Sequence, residues 1–416
     1  MSSSFSTIPF GVNGRNYCPP DAPVAVICLD GSADEYIDEA LSRDLMPRLK
    51  QMTQEGYRGM ARGALPSFTN VNNSSIVTGV PPTRHGISGN FFLDPDSGKS
   101  VMMNSADYLR CETILSAAEG SGRRTAVVTA KEKLRDILSA GRKEGIAISA
   151  EKADEARHAT HGVEQVEGLV GQSTPEIYSA DASLFVLQAG CRLIGGAFAD
   201  FVYLSLTDFI QHKYAPTDSP ALQFYHAIDR YLGELLDLGA VVGATADHGM
   251  NAKQQADQSP NVVYLESKLD EEFGAGFQVI LPITDPYVLH HGALGSFALI
   301  HAPDSAPLEA VANWVDRIPG ITEVYDRETA ARKLELPIDR IGDLAVLSAR
   351  DVVIGKTPED HDLSHVASGL RSHGGRYEEM VPIIVSRPLN PEYRLRANAD
   401  VRNFDIFAFV TNGVQP

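Results

Sequence analysis

Three short segments of the chain set carboxylates and imidazoles at spacings suited to holding a metal ion. In Asp208-Phe209-Ile210-Gln211-His212 an acid and an imidazole stand four residues apart, which on a helix makes them neighbours able to share one cation. By itself the pair is also a common feature of helix surfaces. Asp247-His248-Gly249-Met250 follows the apolar run Val241 to Ala246. Adjacent residues on a strand point to opposite faces, so both groups reach one ion only if the strand has ended, which Gly249 permits; the alternative is a loop aspartate beside a structural histidine. Ser372-His373-Gly374-Gly375 adds an imidazole beside glycines that allow close backbone approach to a ligand, or it is a turn. Asp30, in Leu29-Asp30-Gly31, joins them or caps a following helix. Together Asp30, Asp208, His212, Asp247, His248 and His373 supply three nitrogen or oxygen ligands for each of two zinc-like ions, with positions left for a nucleophile and a substrate.

A hydroxyl nucleophile is inert at neutral pH unless a base or metal lowers its pKa. Thr69 opens the segment Thr69-Asn70-Val71-Asn72-Asn73-Ser74-Ser75-Ile76-Val77-Thr78-Gly79, which has the pattern of a helix start with a closing glycine. It is either that nucleophile or an N-cap threonine. Asn90, after Gly89, is a candidate amide donor to a phosphoryl oxygen or a turn residue. Lys131 and Lys133 lie on one side only if the chain is extended, which sets them at the end of a strand from Arg124 to Thr129; the alternative is a solvated helix start.

These residues need elements to bring them together. Val24 to Leu29, Arg124 to Thr129, Phe201 to Leu206 and Val241 to Ala246 are β-branched or apolar runs of the kind buried on both faces of a parallel sheet. Helical patterns run over Asp44 to Gln54, Leu134 to Ala140 and Ala221 to Leu236. Strands alternating with helices predict a doubly wound, mostly parallel α/β core, whose ligands lie beyond the carboxyl ends of the strands. Asp30, Thr129 to Lys133, Asp208 and Asp247 all follow a strand at that end. From Asn261 to Arg371 the rhythm changes, with strand-like Phe277 to Ile283, Ser296 to His301 and Ala345 to Ile354 around a helix-like Leu308 to Ile318. This predicts an inserted, smaller α+β cap domain over 261–371 within a core of 1–260 and 372–416, where Val381 to Val385 resumes the core. His290 and His291 fall in the insertion without an assigned role, and Arg62 and Arg84 are cations without a motif.

Composition narrows the class. Thirty-six Lys and Arg against 54 Asp and Glu give a net charge of −18, which argues against a nucleic-acid partner. The four cysteines, at 18, 28, 111 and 191, form no CxxC pair, and the N-terminal segment lacks the apolar stretch of a secretory signal. No uninterrupted apolar run is long enough to span a membrane, so the expectation is a cytoplasmic protein without a membrane partner. No interface stripe stands out, and a homodimer is left open.

The ordered set Leu29-Asp30-Gly31, Pro66-Ser67-Phe68-Thr69-Asn70, Thr78-Gly79 with His85-Gly86, Asp208 through His212, Asp247 to Met250 and His373-Gly374 resembles the alkaline phosphatase superfamily. It is most similar to the nucleotide pyrophosphatase/phosphodiesterase-like branch, over roughly residues 22 to 385. The resemblance implies two zinc ions per chain, one held by Asp208, His212 and His373 and the other by Asp30, Thr69, Asp247 and His248, with Thr69 as the catalytic nucleophile. Within that branch, the segments around Asn90 and Thr129 to Lys133 resemble the phosphonoacetate hydrolases. This implies hydrolysis of the carbon–phosphorus bond of phosphonoacetate to acetate and phosphate through a phosphothreonine, with Asn90, Lys131, Lys133 and His212 also contacting the small anionic substrate. The charge balance agrees with this implication. Two zinc ions bring four positive charges, Asp30, Asp208, Asp247 and a Thr69 alkoxide bring four negative ones, and a polyanion then needs the two lysines. The alternatives are a nucleotide or aryl phosphodiesterase of the same superfamily and a non-catalytic, metal-dependent anion-binding protein.

Overall fold

The computed structural model describes residues 5–283, 293–366 and 369–415. Its principal strands, in chain order, are β1 (Val24–Cys28), β2 (Tyr57–Arg62), β3 (Thr125–Thr129), β4 (Ile146–Ser149), β5 (Phe201–Ser205), β6 (Val241–Thr245), β7 (Gln278–Ile280), β8 (Phe297–His301), β9 (Ile321–Asp326), β10 (Leu344–Ser348) and β11 (Met380–Val385). Seven of them form a central sheet in the order β2-β11-β6-β1-β5-β3-β4. The run from β6 to β4 is parallel, whereas β11 is antiparallel to both β6 and β2. The core is therefore α/β with a mixed, mostly parallel sheet.

Both faces of this sheet are covered, as the unbroken apolar runs require. Along β1, Val24, Val26 and Cys28 enter one apolar cluster while Ala25 and Ile27 enter another, and all five are fully buried. The helices Ala180–Gly195 and Ser219–Asp237 pack on the second of these faces; Ile114–Gly120 and Ile406–Thr411 pack on the first.

Strands β7 to β10 make a separate antiparallel sheet in the order β7-β8-β10-β9, covered by the helix Leu308–Val315 through Val311 and Val315. Its apolar cluster also takes in Ala64, Leu65, Phe68 and Val71 from the segment that carries Thr69, and Phe68 meets Phe297 edge-on with ring centroids 6.4 Å apart. The second sheet is thus packed against the segment that carries Thr69.

Several expectations are corrected. The helix expected from Asp44 begins at Pro47, because Asp44 has a positive φ and proline is preorganised for the first helical position. The strand expected over Ala345 to Ile354 divides into β10 and Val353–Gly355, the latter pairing in parallel with Val262–Tyr264. The helix Ala180–Gly195 and the strands β2 and β4 were not anticipated. His290 and His291 lie outside the described residues.

The junction between the helix Pro47–Glu55 and β2 depends on a close approach at Gly56, where an added Cβ would lie 2.0 Å from the Val385 carbonyl oxygen. Gly56→Ala should cost about 1–3 kcal/mol through overpacking, read as a lower urea midpoint at constant slope. An unchanged midpoint would show that this backbone gives way freely.

Candidate metal and catalytic site

The sheet delivers its polar residues to one edge. Asp30 follows β1, Lys131 follows β3, Asp208 follows β5 and Asp247 follows β6, and these strands are parallel. The segment with Thr69 leaves β2 at the same edge, and the loop with His373 enters antiparallel β11 there. Asp30, Asp208, Asp247, His248, His212 and His373 are all buried. At Gly31 the chain turns with φ +70°, and a Cβ there would lie 2.7 Å from Asp208 Cβ, so glycine is what lets the Asp30 loop sit against the Asp208 loop.

Each of the three imidazoles is oriented by a backbone carbonyl. The Nδ1–H groups of His212, His373 and His248 donate to the carbonyl oxygens of Arg371 (2.8 Å), Ser67 (2.7 Å) and Gly249 (2.9 Å). A carbonyl oxygen only accepts, so Nε2 is the end that faces the centre. His212 Nε2 lies 2.9 Å and His373 Nε2 lies 3.7 Å from Asp208 Oδ2. His248 Nε2 lies 3.4 Å from Asp30 Oδ1, 3.7 Å from Asp247 Oδ2 and 3.4 Å from Thr69 Oγ1. The rings of His248 and His373 stack with centroids 3.5 Å apart, joining the two halves.

Among the described residues, two sets have ligand atoms mutually close enough for one ion: Asp208, His212 and His373, and Asp30, Asp208 and His248. Asp208 stands between them. The residues fit a metal on direct grounds. Both carboxylate oxygens of Asp30 are buried without a hydrogen-bond partner, and the Nε2 atoms of His212, His248 and His373 face carboxylate oxygens. A cation among them would satisfy the buried carboxylates and take up the Nε2 lone pairs of the neutral imidazoles.

The electrostatics agree. Burial, then the charges of Asp208 and Asp247, push the Asp30 carboxyl well above its usual range. Burial and Asp208 raise Asp247 to about 7. Burial also opposes ionisation of Asp208, but His212 and Lys131 outweigh it and hold that carboxyl well below the ordinary range. Burial, then His248 and His212, keep His373 neutral. Lys131 Nζ lies 3.6 Å from Asp208 Oδ1, and its ammonium form survives burial because Asp208 and Asp30 outweigh it. Burial and the neighbouring Lys131 charge bring Lys133 down to about 7.

The two lysines do not share an extended strand end. Lys131 has extended backbone and directly precedes the helix Glu132–Leu138, in which Lys133 lies. Thr129 Oγ1 donates to the Lys131 carbonyl (2.8 Å) and Glu132 N–H donates to Glu151 (2.7 Å), which fixes the turn that carries them. Arg62 pairs with Asp400 and Arg84 donates to the Asn13 carbonyl, so both are engaged with partners outside the cluster of acids and imidazoles.

Thr69 is the first residue of the helix Thr69–Thr78, with Phe68 as its N-cap. The helix has no apolar stripe, because it is buried on nearly every side and each asparagine has a separate duty. Asn70 N–H donates to Asn90 Oδ1 (3.0 Å), which leaves the Asn90 Nδ2 end to act as donor. Asn72 binds both polar atoms of the Ala64 backbone, and Asn73 Nδ2 donates to Asp247 Oδ2 (3.1 Å). Asn72 and Asn73 were missed in the sequence. The signal was there, since a polar run in a helix flanked by apolar residues must be hydrogen-bonded if it is buried.

Residues 24–376 match the model of the type I phosphodiesterase / nucleotide pyrophosphatase family. The chain belongs to that family. Among solved structures, it is similar to phosphonoacetate hydrolase from Sinorhizobium meliloti 1021 in complex with phosphonoacetate, at 45% identity and a TM-score of 0.94, over 98% of this chain and 99% of that one. The same figures hold for that enzyme in complex with phosphonoformate. Murine ectonucleotide pyrophosphatase/phosphodiesterase 5 shares the type I phosphodiesterase fold at 16% identity and a TM-score of 0.63, over 93% of this chain and 94% of that one. A curated relative, ectonucleotide pyrophosphatase/phosphodiesterase C27A7.1 of Caenorhabditis elegans, is 36% identical over 74 residues, which span 18% of this chain and 8% of the relative.

A pH dependence follows for the metal-free protein. The raised Asp247 carboxyl binds more protons folded than unfolded between its unfolded value and about 7, so its own contribution to stability falls as pH rises through that window, whereas the buried neutral His85 and His373 contribute in the opposite sense. In chelator, the stability of the protein relative to its Asp247→Asn variant should fall between pH 5 and pH 8, read as the difference of their melting temperatures, and zinc should raise the melting temperature of the unsubstituted protein more at pH 8. A difference that stays constant or grows over that range would contradict the raised Asp247 carboxyl.

Proposed function

We propose that this protein hydrolyses the carbon–phosphorus bond of phosphonoacetate to acetate and phosphate. The observation that carries the reading is the placement of Lys131 and Lys133 beside the ligand cluster of a phosphodiesterase-family site, with Lys131 Nζ 3.6 Å from Asp208. The ligands of the similar Sinorhizobium meliloti structures support it, since phosphonoacetate and phosphonoformate each join a phosphonate to a carboxylate. A second anionic group calls for cations beyond the metals.

In this reading Asp208, His212 and His373 hold one zinc ion, and Asp30, Asp247, His248 and Thr69 hold the other. When bound, the zinc ions lower the pKa of the threonine hydroxyl and neutralise charge that develops on the phosphonate oxygens. Thr69 Oγ1 attacks phosphorus, forming an O–P bond as the C–P bond breaks. The departing electron pair moves onto carbon and spreads into the carboxylate, where Lys131 and Lys133 balance it, and protonation of that carbon gives acetate. Asn90 Nδ2 donates to a phosphonyl oxygen, and His212 lines the same side. Water then hydrolyses the phosphothreonine, returning the Thr69 hydroxyl and releasing phosphate.

The region 261–371 acts as an inserted cap on the core of 1–260 and 372–416. Its Pro282 carbonyl accepts from Asn90 N–H (2.8 Å), which ties it directly to the substrate side. The reading includes a cytoplasmic enzyme. The four cysteines are unpaired, as a reducing compartment favours, and among the described residues no helix is long and apolar enough to cross a membrane.

Changing Lys131 and Lys133 together to Ala should lower kcat/KM for phosphonoacetate by about 10²-fold or more, the scale of losing preorganised charge stabilisation. Cleavage of an aryl phosphate ester without a carboxylate should change far less. Equal losses on both substrates would remove the carboxylate role of the lysines.

A further inference from the structure

We propose that Asn73 is a positioning residue that ties the nucleophile helix to the metal ligand Asp247, so that Thr69 and the Asp247 half of the site form one rigid unit. The inference rests on the two-metal reading above. It concerns a residue whose four hydrogen bonds all go to protein groups.

Asn73 is fully buried and uses its whole hydrogen-bonding capacity. Its Nδ2 donates to the Thr69 carbonyl (3.1 Å) and to Asp247 Oδ2 (3.1 Å). Its Oδ1 accepts from Tyr203 Oη (2.7 Å) and Ser205 Oγ (2.8 Å), both on β5. The Thr69 carbonyl can only accept, so the amide orientation is determined: Nδ2 faces the nucleophile and the carboxylate, and Oδ1 faces the hydroxyls. One side chain therefore joins the strand that leads to Asp208, the residue that carries the nucleophile and the ligand Asp247.

The bond to Asp247 sets how that carboxylate is presented. Asp247 Oδ1 accepts from the backbone N–H groups of Gly31 (3.2 Å) and His248 (3.0 Å). Asp247 Oδ2 accepts from Asn73 and lies 3.7 Å from His248 Nε2, on the side where Thr69 Oγ1 also meets that nitrogen. Without Asn73 the plane of the carboxylate is held at one oxygen only. Partners that orient ligands in this way commonly account for about 10–100-fold in metal affinity or activity.

The test is zinc binding to the metal-free full-length protein by chelator competition, with phosphonoacetate kinetics alongside. Asn73→Ala should weaken one of the two zinc-binding steps by about 10–100-fold and leave the step at Asp208, His212 and His373 unchanged. For phosphonoacetate it should lower kcat with little change in KM, because Asn90, Lys131 and Lys133 remain. Unchanged zinc steps in a folded variant would overturn the proposal, as would equal weakening of both steps, which marks general loosening. If Asn73→Ala does not fold, Tyr203→Phe removes one donor to Asn73 Oδ1 while keeping the ring. That variant should weaken the same zinc step, and an unaffected step would overturn the proposal. The zinc titration needs no substrate. A step-selective loss in a protein that does not turn over phosphonoacetate would uphold Asn73 and reject the substrate reading.

Discussion

Three carboxylates crowded into the interior at one edge of a sheet are the constraint on which the rest of this structure depends. Asp30, Asp208 and Asp247 are 1%, 5% and 0% exposed. Buried like charges this close are strongly unfavourable unless cations stand among them. The protein's own positive charge is too little: Lys131 stabilises the Asp208 carboxylate, yet Asp30 and Asp247 are still pushed toward their protonated forms. The cluster fits charge that a metal would supply, and the carbonyl-anchored histidines turn their Nε2 atoms toward the same place.

The architecture follows from the need to hold such a cluster still. Parallel strands buried on both faces end at one edge and deliver one acid each, and the antiparallel β11 brings the His373 loop back to that edge. Thr69 opens a helix with almost no solvent-facing side, so its polar residues must find partners inside, and in doing so they bind the Thr69 segment to its neighbours. Phe68 completes the support. Its ring meets Phe297 of the second sheet and His373 of the metal site, with centroids 6.4 and 5.6 Å away. Gly374, at φ +118°, makes room for that ring, since a Cβ there would lie 2.4 Å from Phe68 Cε1.

Much of the site was legible in the sequence because strand ends are. Val24 to Leu29 and Val241 to Ala246 are unmistakable buried runs, and the residue that follows such a run has a known place in an α/β sheet, so Asp30 and Asp247 could be assigned to one edge. Asp208 and His212 were legible from helical spacing. The lysine turn was not, since two lysines in sequence carry no mark of where a strand gives way to a helix, and besides the local Thr129 bond the turn is fixed by Glu151, nineteen residues beyond the amide it accepts from. Strand β2 was missed because Tyr57 to Arg62 is half-exposed and mixed in character, and it is a strand only because β11 pairs with it. Asn73 was missed for a related reason: its role depends on Tyr203, Ser205 and Asp247, which are remote in sequence and converge only in the folded chain.

Two lysines stand beside the cluster of acids and imidazoles, Lys131 with its Nζ 3.6 Å from the Asp208 carboxylate, and on the proposed reading they suit the site to a substrate with a second anionic group. The most direct measurement is release of phosphate and acetate from phosphonoacetate by the zinc-loaded protein, beside an aryl phosphodiester, with metal per chain determined on the same sample. The account predicts two metals per chain, equal amounts of phosphate and acetate, and a clear preference for phosphonoacetate. Preferred turnover of the diester would contradict it.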